Sequence, residues 1–240
     1  MSKYFEELDY CPTAIGALSL RRRLEPLVGH DVIELKLGDE FLMSSLFTAS
    51  EVALANLALD AHKGDALQIA LGGLGLGYTA KAALDHRKTT SLTVIEFLDP
   101  IVRWHREEIL PLGAELFTDP RCQIIVGDFF ALSDSVNGFD ASNPGRQYDV
   151  ILIDIDHSPN HHLNPVSAPF YSQGGLERLR NHLNPGGVVG LWSDDRPDDD
   201  FLAVLRATFS EAWPEPVTFD NPLLRTPYTQ TVYLAKNHEI

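Results

Sequence analysis

Five short apolar runs, each followed by a helical or polar stretch, occupy the chain from about residue 66 to residue 193: ALQIALGG, SLTVIEF, RCQIIVGDFF, YDVILID and VVGLWS. A strand that is apolar at consecutive rather than alternate positions has to be buried on both faces. The architecture that does this is a mostly parallel sheet with helices packed on each side. The intervening segments have helical character. YTAKAALDH and SQGGLERLRNHL read as helices, and DPIVRWHREEILPL places Ile101, Trp104, His105, Glu108 and Ile109 along helical spacing. NPGG reads as a turn, SDSVNGFDASNPGRQ as a polar loop, and the tail EPVTFDNPLLRTPYTQTVYLAK as two β segments that close the sheet as an antiparallel pair.

The first 60 residues have a different pattern. In DVIELKLGDEFLMSS, Val32, Glu34 and Lys36 alternate with Ile33, Leu35 and Leu37, and Gly38-Asp39 marks a hairpin turn. TASEVALANLALDAH follows as a helix, with Thr48 and Glu51 at capping-box spacing. The expected division is a β-hairpin and helix appendage over 1–62 and an α/β domain over 63–240.

Between the first strand and its helix, Gly73, Gly75 and Gly77 occupy alternate positions of LGGLGLGYTA. Glycines there permit a tight turn and a close backbone approach to a ligand, at a helix start whose amides are free. Glu96 ends the next strand, where a carboxylate accepts hydrogen bonds from ribose hydroxyls. Asp128 ends the third, where it can meet an adenine amino group, and Asp154 ends the fourth. Any one of these carboxylates could be a helix cap. Three in succession along the ligand-binding edge of an α/β sheet point to an adenosine-bearing ligand. The loop is G-x-G-x-G rather than G-x-G-x-x-G and has no basic residue poised for a pyrophosphate, which argues against a dinucleotide.

Charge narrows the partners. The chain carries 34 acidic and 19 basic residues, a formal net charge of −15. Such a surface repels phosphate backbones, so no nucleic-acid partner is expected, whereas a cationic small molecule is attracted. The one basic cluster, LRRRLEP, reads as a solvated face. Cys11 and Cys122 do not form a disulfide framework or a thiolate metal site. MSKYFEELDY lacks the features of a signal peptide and no apolar run approaches the ~18 residues of a membrane span, so a cytoplasmic protein with no membrane partner is expected.

Taken together, the glycine loop, Glu96, Gly127-Asp128, YDVILID and LNPGGVV resemble the class I S-adenosylmethionine-dependent transferases. Within that superfamily the chain is most similar to the spermidine synthase-like branch, through the N-terminal hairpin, the helix entry SSLFTASEVALANLAL and the segment APFYSQGGLERLRNHLNPGGV. The resemblance runs from about Asp31 to Lys236. It implies a Rossmann-like, mostly parallel seven-stranded sheet with an antiparallel C-terminal strand and a small N-terminal β appendage. It also implies a homodimer, a donor that is S-adenosylmethionine or its decarboxylated form, and an amine acceptor near Glu51. Two departures stand out. The aspartate of the aminopropyltransferase loop G-G-G-D-G-G is absent, Leu74 and Leu76 standing among the glycines. The gate loop D-x-x-D-P-x-G-P-A is replaced by Asp154, Ile155, Asp156 and His157.

The resemblance puts Asp154 where the donor's sulfonium carbon meets the acceptor. A partly desolvated aspartate there can hold an ammonium and take its proton, with Asp156 and His157 assisting. Tyr171 either lines the acceptor pocket or packs, and Asp194 with Asp195 could receive a distal ammonium. A zinc site at His157, His161 and His162 is disfavoured because adjacent loop histidines point apart. Asp154, Asp194 and Asp195 could instead bind Mg²⁺ for O-methylation, a rival ranked below a metal-free site. Asp198 to Asp200 are read as a helix start. The expected function is transfer of an aminopropyl or other alkyl group to a small amine in polyamine biosynthesis. The alternatives are a small-molecule methyltransferase and a non-catalytic adenosyl-binding protein.

Overall fold

The computed structural model describes residues 4–239. In chain order the elements are β1 (Phe5–Thr13), β2 (Gly16–Glu25), β3 (His30–Leu37), β4 (Glu40–Ser44), α1 (Ala49–Ala61), β5 (Leu67–Gly72), α2 (Tyr78–Asp85), β6 (Thr89–Glu96), α3 (Asp99–Arg106), α4 (Gly113–Thr118), β7 (Cys122–Val126), α5 (Phe129–Asp134) and β8 (Tyr148–Ile153). A 3-10 turn (Pro165–Tyr171) leads to α6 (Gln173–Arg180), β9 (Leu183–Ser193), α7 (Asp199–Thr208), β10 (Glu211–Asn221) and β11 (Thr226–Lys236).

Strands β5 to β11 form a seven-stranded sheet ordered β10-β11-β9-β8-β5-β6-β7. The five strands β9, β8, β5, β6 and β7 are parallel, and β11 and β10 add on as an antiparallel pair. Successive residues of each central strand enter different cores. Ile69, Leu71, Val150 and Leu152 face the core under α1 and α2, while Ala70, Ile151 and Ile153 face the one under α5, α6 and α7. Burial on both sides is why these strands lack polar alternation. The chain leaves β5 in one direction toward β6 and later returns on its other side as β8. That reversal opens a crevice at the strands' carboxyl ends.

The N-terminal region is larger than the expected hairpin. It is a four-stranded antiparallel meander, β1 to β4. Charges alternating along one face hid β1 and β2 from an apolar-pattern reading. The arginine cluster is paired within the meander: Arg22 reaches across to Glu6 on β1, while Arg23 pairs with Glu34 on β3 and with Glu25 on its own strand. The apolar face, with Leu18, Leu20 and Leu35, joins the same core as the glycine-loop residues Leu74 and Leu76.

Other boundaries also moved. The helix expected over Asp99 to Leu112 stops at Arg106, where Glu108 turns into the left-handed region (φ 58°), and α4 follows separately. The strand in RCQIIVGDFF ends at Val126, and its two phenylalanines begin α5. NPGG is absorbed into the start of β9, the pairing jumping from Tyr148–Leu183 to Val150–Val188. The capping box does not form: Thr48 precedes α1 without a side-chain cap bond, and Glu51 is buried instead of reaching back to it.

Asp9 clamps the meander to the large sheet. Its carboxylate accepts from Trp104 Nε1 (2.6 Å) and from Arg103 (2.7 Å) on α3. The Trp104 N–H, backed by Arg103, holds the Asp9 carboxyl down to about 2 against the opposing effect of burial. This folded value lies below the ordinary ~3.9, so the clamp is at full strength above about pH 4 and is lost as the pH falls toward 2. Asp9→Ala should therefore lower the unfolding free energy by about 1–3 kcal/mol at pH 7 in denaturant melts. The gap to the parent protein should close between about pH 4 and pH 2.

Candidate active site

A cavity of about 690 Å³ occupies the crevice. Its floor is the carboxyl ends of β5, β6 and β8. Phe41 and Met43 from β4, Phe219 and Tyr228 from the β10–β11 hairpin, and Val166 and Phe170 from the 3-10 turn close around it.

The glycine loop forms one wall. Gly73 has φ +91°, and a Cβ there would overlap the carbonyl oxygen of Asp154, so only glycine lets β5 and β8 end in contact. Gly75 also lines the cavity, beneath the Met43 sulfur. Gly77 does not line it; it begins α2 against Leu116 and His105. Leu74 and Leu76, where the resembling family carries an aspartate, are buried in the core.

Glu96 lines the cavity while its oxygens accept the amides of Leu74 (2.8 Å) and Leu98 (2.7 Å). Burial pushes its carboxyl up and those amides oppose the shift. Asp128 both caps and lines: Oδ1 accepts from the amides of Phe130 (2.9 Å) and Ala131 (3.2 Å), and the residue faces the cavity.

At the other end, Asp154 accepts from Thr79 Oγ1 (2.5 Å). Burial raises its carboxyl despite that bond. Glu51 comes from α1 into the same space and is raised by burial, by Asp154 and, more weakly, by Asp194. Asp194 completes the group, accepting from Gln230 Nε2 (2.7 Å) and the Tyr228 hydroxyl (3.3 Å). Asp195 is exposed and is not part of the lining.

The ionisable loop divides its residues among different tasks. Asp156 is buried, and its oxygens are occupied by the Leu163 amide (2.7 Å), Ser167 Oγ (2.9 Å) and the Tyr171 hydroxyl (2.9 Å). It is an organiser of its own loop, because three donors leave it little capacity as a base. Tyr171 lies off the cavity with His162 stacked on it, so the packing alternative is the one adopted. His157 does line the cavity, 3.7 Å from Glu40. His162 turns away to the Pro159 carbonyl (2.8 Å). Among the described residues, no three His, Cys, Asp or Glu side chains gather closely enough to hold a metal ion. Asp198 caps α7, accepting from the amides of Asp200 and Phe201.

Sequence reasoning missed Met43, Thr79, Trp192, Tyr228 and Gln230, each at or beside the cavity. Each is a single residue inside an otherwise ordinary strand or helix, and only folding brings them together.

This fold has known counterparts. The chain resembles the spermidine synthase of Thermotoga maritima over 98% of its own length and 73% of that structure, with a TM-score of 0.72 and 13% identity. The fold is the spermidine synthase-like one. Human methyltransferase-like protein 13, solved in complex with SAH, matches at TM-score 0.57 and 19% identity, covering 79% of this chain and 82% of that one. In sequence, polyamine aminopropyltransferase 2 of Pseudomonas aeruginosa is 29% identical over 165 residues, 66% of this chain and 44% of that protein. The chain thus spans about half the length of the curated relatives it matches. No protein-family model matches it.

The contact between Gly73 and Asp154 can be tested by stability. Gly145 also has positive φ (+75°) but has open space around it. Gly145→Ala should cost about 1 kcal/mol from backbone strain alone. Gly73→Ala should cost a further 1–3 kcal/mol or so from the collision, measured by denaturant melts of both variants.

Proposed function

We propose that the protein transfers an aminopropyl group from decarboxylated S-adenosylmethionine to a small amine. The observation that carries this reading is the charge of the cavity. Glu51, Glu96, Asp128, Asp134, Asp154, Asp156 and Asp194 line it, and among the described residues no Lys or Arg does. An intact donor would bring a carboxylate into this field with no cationic side chain to receive it, whereas a decarboxylated donor and an amine bring only positive charge. Leu74 and Leu76 supply no charge, so the donor's ammonium would have to draw on Glu51 or Asp154. The relatives named as aminopropyltransferases support the same reading.

In this mechanism Glu96 and Asp128 hold the adenosine end, and Gly73 and Gly75 let it lie close to the backbone. Asp154 holds the acceptor amine. The amine nitrogen attacks the carbon next to the sulfonium, the C–N bond forms as the C–S bond breaks, and sulfur leaves as a neutral thioether. The amine must lose a proton to become a nucleophile, and Asp154, already raised by burial, is positioned to take it. Neither cysteine is in a disulfide, which supports a reducing, cytoplasmic setting.

Turnover should be seen with 1,4-diaminobutane and the decarboxylated donor and be absent with intact S-adenosylmethionine; the reverse preference would overturn the assignment. Asp154→Asn should slow turnover by about 10²- to 10⁴-fold. A base acts when ionised, so the parent rate should rise with pH through the raised Asp154 titration, and this rise should be missing in Asp154→Asn.

A further inference from the structure

Glu51 sits in a hydrogen-bond chain whose directions are set by its ends. Ser50 Oγ receives the indole N–H of Trp192 (2.9 Å) and lies 2.6 Å from Gln230 Oε1 and 2.8 Å from Glu51 Oε2. A hydroxyl has one proton to give. Gln230 donates its amide Nε2 to Asp194 Oδ1 (2.7 Å), which turns its Oε1 toward Ser50. An amide oxygen has no proton, so the Ser50 proton must point to Gln230. The contact between Ser50 and Glu51 then closes only if Glu51 supplies the proton.

The surroundings agree. Glu51 is 7% exposed. It faces Asp154 from the end of β8 and Asp194 from the end of β9, with the Tyr78 phenol of α2 and Tyr228 of β11 nearby. No Lys or Arg among the described residues lines this space. Three ionised carboxylates facing one cavity would repel each other, and the proton on Glu51 relieves that repulsion until a cation arrives.

We propose that Glu51 is a neutral carboxylic acid in the ligand-free protein and gives its proton to solvent when the acceptor's ammonium enters. This rests on the amine-acceptor reading above. The exchange balances: a protonated carboxyl and a free ammonium become a carboxylate–ammonium pair and one released proton. Glu51 is thereby a second anionic contact for the acceptor, present only when the acceptor is there. The ligand-free cavity keeps a lower charge than its carboxylates suggest.

Two measurements on the full chain test this. In the first, glutamate carboxyl carbons are labelled and the Glu51 resonance is assigned by its loss in Glu51→Gln, a substitution whose side-chain N–H can still donate to Ser50. At pH 6, where an ordinary glutamate is ionised, Glu51 should appear protonated without ligand and shift to the ionised position on adding 1,4-diaminobutane. An ionised Glu51 in the ligand-free protein would overturn the proposal. In the second, calorimetry with 1,4-diaminobutane in two buffers of different ionisation heat should give about one proton released per diamine bound, and none in Glu51→Gln. Proton release that survives in Glu51→Gln would overturn the exchange. If the diamine fails to bind either form, the amine-acceptor reading falls and the exchange with it, while the carboxyl resonance still decides separately whether Glu51 holds its proton.

Discussion

The meeting of β5 and β8 at their carboxyl ends is the contact on which the rest of the site depends. The Asp154 amide donates to the Gly72 carbonyl (2.9 Å), and the backbone of Gly73 passes so close to Asp154 that no side chain fits between them. The glycine loop and the Asp154 carboxylate are therefore one structural unit. Thr79, in the first turn of α2, ties that helix to the same aspartate. A displacement on either side would reach the other, which is how a site assembled from distant segments keeps the alignment that the proposed transfer needs.

The second constraint is electrostatic. Folding gathers carboxylates in a partly desolvated cavity and gives them neutral or backbone partners: amides for Glu96 and Asp128, a hydroxyl for Asp154, an amide side chain and a phenol for Asp194. Hydrogen bonds of this kind orient the groups without neutralising them. What remains is a field that favours cations; burial raises the Asp154 carboxyl, and burial together with the charges of Asp154 and Asp194 raises that of Glu51. The N-terminal meander and the C-terminal hairpin supply mostly apolar walls, Met43 and Phe219 among them, which keep water out and make that field stronger.

Much of the α/β domain was legible because burial on two faces leaves a plain mark, a run of consecutive apolar residues ending in a carboxylate. The meander was half hidden, since its outer face alternates charges that make sense only as cross-strand pairs such as Arg23 with Glu34. Helix ends were misjudged where a local feature, the left-handed Glu108 or the break in register before Val188, interrupts an otherwise continuous pattern. Glu51 was read as one half of a capping box because three-residue spacing is a local signal. The pull toward Asp154 and Asp194 is not local.

By itself the sequence determined the class of fold, the edge of the sheet at which the cavity opens and the sign of the charge that lines it, because each follows from residue type and short-range order. Only the tertiary structure decided how the carboxylates divide their work. Asp156 and Asp198 are occupied by donors from their own loop or helix, while Asp154, Glu51 and Asp194, more than a hundred residues apart at the extremes, face one space. Whether a carboxylate organises structure or meets a ligand depends on which donors surround it, and those donors come from segments that become neighbours only when the chain is folded.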